Sequence, residues 1–207
     1  MSRVLPILFN TEMVRAILGG RKTATRRLVR FLPGENPNWT GYIKDGLMLY
    51  NGKNEPCCRK PQYAVGDILY VRETYRPLSD HPDAWFEYAA DWAPEYFENS
   101  RDPKACNGGK WKPSIHMPKE AARIWLRVTD VWFERLHDMT LDDFLNEGVV
   151  IRPEAFNDPE NAYQQAKNAF INIWDFTVKK TERDLYGWDA DPYVLVTEFE
   201  RCEKPKE

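Results

Sequence analysis

Two periods of hydrophobicity divide this chain. Val4 to Phe9 is a short apolar run that predicts a first strand. The period then lengthens: Met13 with Ile17, and Val14 with Leu18, form i,i+4 apolar pairs, while Glu12 and Arg15 fall on the other face. Asn10 or Thr11 predicts the cap of this helix, and Gly19-Gly20 its end. Residues 31–64 are rich in Pro, Gly and Asn, with one predicted hairpin in YIKDGLMLYNG turning at Asp45-Gly46. Val65-Gly66-Asp67 reads as a turn, and Ile68 to Thr74 as a strand with Ile68, Tyr70 and Arg72 on one side.

Residues 76–113 are aromatic, acidic and broken by Pro77, Pro82, Pro94, Pro103 and Gly108-Gly109, the pattern of an insertion. Ala122 to Arg135 alternates as a long strand or a bent pair of strands. In HDMTLDDFLNEG, Thr140 with Asp143 resembles a capping box and Gly148 closes the helix. Residues 159–180 predict a longer helix with Tyr163, Ala166, Phe170, Ile173 and Trp174 on one stripe. Tyr193 to Arg201 reads as a closing strand. The order β-α-β-β-α-α-β favours an α+β fold, a small β-barrel with peripheral helices, over a doubly wound sheet.

Composition changes this picture little. The 207 residues, eight Trp among them, suit one domain carrying an insertion, and no apolar run reaches the roughly 20 residues of a membrane span. The opening nine residues are too short for a secretory signal, so the expected setting is a soluble, cytoplasmic one. Cys57, Cys58, Cys106 and Cys202 match no zinc-ligand spacing. They read as reduced thiols rather than as a site shared with His81 or His116, and no metal or other cofactor is expected.

Charge is more informative. The net charge is −3, yet from Arg21 to Arg30 there are five cations (Arg21, Lys22, Arg26, Arg27, Arg30) and no acid. Acids gather instead at Asp80, Asp83, Glu87, Asp91, Glu95 and Glu98. The net charge argues against a protein coated in nucleic acid but leaves room for a local basic cleft. Two readings stand for GGRKTATRR: a turn whose glycines and cations hold an anion, or a solvated loop or strand whose cations pair with acids. In a regular strand Lys22 and Thr25 face opposite sides, so a shared site needs a turn between them. Arg72 and Glu73 likewise point to opposite faces of their strand. His116, in the loop WKPSIHMPK, is either a ligand contact or a structural hydrogen-bonder. No nucleophile elbow, P-loop or dinucleotide fingerprint is present.

Gly20-x-Lys22-x-x-Thr25-x-Arg27 after a short helix resembles the signature turn of the ASCH domain, a β-barrel group related in fold to the PUA domain. The blocks ILFNTEMVRAILGGRKTATRR, GDILYVRET, WKPSIHMPKEAARIWLRVTDV and WDADPYVLVTEFER together resemble ASCH proteins encoded by bacteriophages and prophages. The resemblance implies one ASCH domain over 1–207, with variable insertions at about 31–60, 76–110 and 149–185, in a bacterial host cytoplasm. Where the family's motif often has an acid, this sequence has Thr25.

Some small ASCH proteins are amidohydrolases that deacetylate acetylated cytidine without a metal, and others are RNA binders. The resemblance therefore implies a nucleic-acid or modified-nucleoside ligand. Its Lys, Thr and Glu working residues fall on Lys22, Thr25 and Glu147. Gly20, Arg26, Arg27, Arg72, Glu73 and His116 complete the expected ligand contacts. Two alternatives remain: a non-catalytic RNA-binding module, and a phage structural or interaction protein docking through the acidic, aromatic insertion 79–108.

Overall fold

The computed structural model describes residues 2–35, 42–44, 48–77, 86–92 and 110–206. Its strands are β1 (Val4–Leu8), β2 (Ala24–Leu28), β3 (Tyr42–Lys44), β4 (Met48–Tyr50), β5 (Ile68–Arg72), β6 (Tyr75–Pro77), β7 (Phe86–Tyr88), β8 (Trp125–Arg135) and β9 (Tyr193–Cys202). Helices run over Thr11–Leu18, Leu141–Asn146, Pro159–Thr177 and Arg183–Tyr186. The chain is thus mixed α+β, with a five-stranded mixed sheet in the order β1-β5-β8-β9-β2. That order has two ends, and no pairing among the described residues joins β1 to β2, so this sheet does not close into the expected barrel. No helix among the described residues is long and apolar enough to cross a membrane.

The chain divides into two compact units. The first comprises Met1–Gly20, Gly66–Arg127 and Glu200–Glu207. In it β1 runs parallel to β5, from Val4 opposite Ile68 to Leu8 opposite Arg72, and β5 runs antiparallel to the start of β8. The helix Thr11–Leu18 begins where expected, because the Asn10 side chain accepts the Met13 N–H at 2.8 Å. It buries Val14, Ala16 and Ile17. Gly20, at φ +71°, takes the left-handed conformation that ends it. A short antiparallel pair, β6 with β7, follows β5.

The second unit comprises Arg21–Val65 and Val128–Phe199. Its frame is β2 antiparallel to β9, with Thr25 opposite Thr197, Arg26 opposite Val196 and Arg27 opposite Leu195. Side chains directly opposite each other share a face, and successive residues alternate faces. The pairing therefore gives this ribbon two different sides. Val194 and Val196 pack into a core with Phe144, Phe170, Trp174 and Trp188. Tyr193 and Leu195 pack against a smaller cluster of Val29, Leu49, Cys57, Cys58 and Phe133.

The larger core is closed by two helices whose starts are legible in the sequence. Thr140 and Asp143 form the reciprocal capping box of Leu141–Asn146, so Asp reaches as Glu normally does. Asp158 caps Pro159–Thr177, which buries Ala162, Ala166, Phe170 and Trp174. Ile173, expected on that stripe, is instead 40% exposed and lies off the buried face. The hairpin over 42–50 forms as expected, with Lys44 opposite Met48. Its turn at Asp45-Gly46 lies outside the described residues, as do His81, Cys106 and most of 79–108.

Candidate functional site

The basic stretch after Gly20 is mostly strand. Arg26 and Arg27 lie within β2, at the end of the sheet order. Phe199 N–H donates to Thr23 O at 2.8 Å, and Val29 N–H donates to Tyr193 O at 3.2 Å. Odd-numbered residues of β2 therefore aim their backbone groups at β9, and the Ala24 carbonyl and Arg26 N–H aim away from it. An outer edge of this kind needs partners.

Lys22 and Glu147 supply them. The Lys22 ammonium donates to Ala24 O at 2.8 Å, to Glu147 O at 3.0 Å and to the Glu147 carboxylate Oε2 at 2.5 Å. The other carboxylate oxygen, Oε1, accepts the Arg26 backbone N–H at 2.5 Å. Thr23 N–H donates to Asn146 O at 2.9 Å, and Lys22 bridges Glu147 as strands do. The end of helix Leu141–Asn146 thus stands where a further strand would be, with an ion pair completing the ladder. Glu147 is its C-cap, and Gly148 turns the chain away at φ +91°.

Arg26 extends the network. Its side chain is fully buried and pairs with Glu134 at 2.6 Å and Asp143 at 2.6 Å, with Glu147 at 3.7 Å. Trp132 Nε1 donates to the same Glu134 at 2.7 Å. Burial pushes the Lys22 ammonium below its ordinary value, opposed by the Glu147 carboxylate and helped by the Arg26 and Arg27 charges. Burial tends to raise the Asp143 carboxyl, but hydrogen bonds from Thr140 and the Arg26 charge outweigh it and hold the group below its usual range. The contacts therefore bring together Lys22, Arg26 and Glu147 of the expected site residues. Lys22 and Glu147 are in direct contact, and a carboxylate that holds the ammonium in its charged form opposes its use as a base.

Thr25 and Arg27 lie on the other face. Thr25 is buried opposite Thr197, and Arg27 is half-buried opposite Leu195. On that side the second unit holds a cavity of about 490 Å³, which both Thr197 and Leu195 line. Four cations line it, Arg27, Arg30, Arg59 and Lys60, beside the rings of Phe31 and Tyr63. No acid is among its described lining residues. Tyr63 is buried, which pushes its phenol up, and the Arg27 charge acts on it in the opposite sense. Arg30 also faces Glu182 at 3.1 Å. Apart from Arg27 no residue expected as a site residue from the sequence lines this cavity; Arg59 and Lys60 belong to a stretch read there as variable insertion, and Tyr63 follows it. The signal was present as RKPQY, two cations followed by proline and tyrosine.

Gly20, Arg72, Glu73 and His116 belong to the first unit. Glu73 is 1% exposed and receives a two-pronged guanidinium from Arg123, Nε to Oε1 at 2.9 Å and Nη2 to Oε2 at 3.1 Å. Arg123 also grips Asp91 at 2.7 Å and lies 3.9 Å over the Tyr88 ring. Burial raises the Glu73 carboxyl despite Arg123. Arg72 donates through Nη2 to Ile115 O, and its Nε is buried without a hydrogen-bond partner. His116 is exposed, and its backbone carbonyl accepts the Tyr75 hydroxyl at 3.0 Å.

Among the described residues no group of three or more His, Cys, Asp or Glu could hold a metal ion. Cys57 and Cys58 are buried thiols, and burial pushes Cys57 up to about 11, which makes it a poor nucleophile or ligand at neutral pH. Comparison of the chain with protein-family models, with curated proteins and with solved structures gives no match.

Proposed function

We propose that this protein recognises a nucleic-acid or modified-nucleoside ligand, in keeping with the ASCH relationship that the sequence blocks suggest. The observation that carries the reading is the recess beside β2. A cavity of about 490 Å³ with cations and aromatic rings, and no acid among its described lining residues, suits an anionic, ring-bearing ligand. Its size falls within the small-molecule range of about 300–1,000 Å³. A duplex is instead contacted across grooves and phosphates over a broad surface. A single-stranded segment or free nucleoside derivative fits the recess better. The test is a titration with a short single-stranded RNA over a salt series. Saturable binding that weakens as salt rises is expected; absence of saturation by RNA and by nucleosides alike sinks the reading.

A catalytic form of the same reading is supported by one further observation, the placement of Thr25 on the face that the cavity adjoins. Amide hydrolysis on an acylated base would have Thr25 Oγ1 attack the acyl carbon as a base takes its proton. The amine then leaves with a proton, and water releases the acid from Thr25. Lys22 serves as that base only as the neutral amine, which keeps two N–H groups and so must lose a proton and leave one of its three present acceptors unserved. Binding without turnover is therefore the better supported form. Chromatography of acetylated cytidine incubated with the parent and with Thr25→Val decides it: turnover in the parent that the valine variant loses establishes the hydrolase.

A further inference from the structure

We propose that the cavity of the second unit is a phosphate-reading nucleotide site: Arg59 and Lys60 take the phosphate of a nucleoside monophosphate while Phe31 and Tyr63 face its base. The inference rests on the nucleoside reading above and narrows it, because it makes the phosphate a required part of the ligand.

The argument begins from charge. A free nucleoside is neutral and gains little from several cations on one wall. A phosphate monoester carries roughly −1.5 to −2 at neutral pH and three strong acceptor oxygens. Arg30 already faces Glu182 at 3.1 Å and is discounted. Arg59 and Lys60 remain, on a lining they share with Arg27 and that has no acid among its described residues. Arg59 is a guanidinium, whose planar fork matches phosphate oxygens in pairs, and Lys60 adds a compact point charge.

Local chain geometry supports the division of labour. Arg59 and Lys60 are exposed and follow directly on buried Cys57 and Cys58, so the backbone carrying them is anchored while their side chains reach solvent. Three residues on, Tyr63 is buried at 3% exposure and feels the Arg27 charge. Cationic and aromatic groups thus lie side by side within one recess, which is what a phosphate joined to a base requires. Two other cations of the run 21–30 cannot serve: Lys22 and Arg26 are buried against Glu134, Asp143 and Glu147.

Isothermal titration of the full chain with the four nucleoside 5′-monophosphates, the four matching nucleosides and inorganic phosphate tests this. At least one monophosphate should bind about tenfold or more tighter than its nucleoside, the scale of one charge-assisted hydrogen bond. Arg59→Ala with Lys60→Ala should abolish that advantage. Lys53→Ala, which removes an exposed cation that does not line the cavity, should leave it intact. Nucleosides binding as tightly as their monophosphates overturn the inference and leave nucleoside recognition standing. So does a phosphate preference untouched by the double variant, or inorganic phosphate binding as tightly as any nucleotide. If nucleosides, monophosphates and single-stranded RNA all fail to bind, both readings fall together.

Discussion

Arg26 and Arg27 are neighbours in β2, yet they live in different chemistry. Arg26 is enclosed by three carboxylates, and with Lys22 and Glu147 it closes the outer edge of its strand. Arg27, one residue on and on the opposite face, lines a cavity that has no acid among its described lining residues. The difference follows from strand alternation alone. A run of cations that looks like one basic turn in the sequence is two populations, one holding the fold and one facing a recess. Charge density along a chain therefore says little until the register is known.

The comparison breaks most visibly on the fold-holding side. Glu147→Ala leaves the Lys22 ammonium buried without its carboxylate and the Arg26 N–H without its acceptor. Breaking a buried pair from one side costs about 3–5 kcal/mol, and urea unfolding should show a loss of that order. The variant Lys22→Met with Glu147→Leu sharpens the point. Where an ion pair does nothing else, its apolar replacement is often neutral or stabilising. Here the same groups also satisfy Ala24 O and Arg26 N–H, and each buried backbone group left unpaired costs about 1–3 kcal/mol. The double variant should be more stable than Glu147→Ala yet still less stable than the parent. Equality with the parent would mean that the pair does not close the edge.

How much of this was legible beforehand depends on chain separation. The Asn10 cap, the Thr140–Asp143 box, the stop at Gly148 and the hairpin flanks are set by residues within a few positions of each other, and the sequence displays them. The Lys22–Glu147 contact joins residues 125 positions apart, and only the ASCH resemblance suggested that the two belong together. Nothing local could say that the contact would leave Lys22 with its three donors engaged. The cavity was hidden for the same reason: Arg27 and Arg59–Tyr63 meet only in the fold, and a Pro- and Gly-rich stretch reads as insertion. Ile173 was misplaced because the i,i+3 and i,i+4 spacing it shares with Phe170 and Trp174 fixes a broad stripe, not its margin.

A smaller effect is expected at the rim of the Arg26 network. Thr140→Ala removes the hydroxyl that accepts the Asp143 N–H as the helix cap and donates to the Asp143 carboxylate, at about 1 kcal/mol for a cap; the bond from the Thr140 backbone N–H to the Asp143 carboxylate stays available. Its Asp143 partner adds a pH signature. A carboxyl held below its unfolded value contributes stability that is present above about pH 4 and is lost as pH falls through its folded value. Asp143→Asn should therefore flatten the acid side of the stability profile below about pH 4 and leave the slope near neutrality unchanged. An unaltered acid limb would place the proton-linked stability elsewhere.

The smallest effect on stability should come from the cations of the recess. Arg59 and Lys60 are exposed, and surface substitutions away from caps, cores and networks usually change stability within about 0.5 kcal/mol. Arg59→Ala with Lys60→Ala should unfold in urea almost where the parent does, while Glu147→Ala shifts far. Relief of mutual repulsion between like charges could even move the midpoint slightly upward. A loss of 2 kcal/mol or more (about thirtyfold) in the double variant would show that these side chains hold the fold as Arg26 does. The contrast between the two faces of β2 would then collapse, and with it the reason to expect a ligand in the cavity.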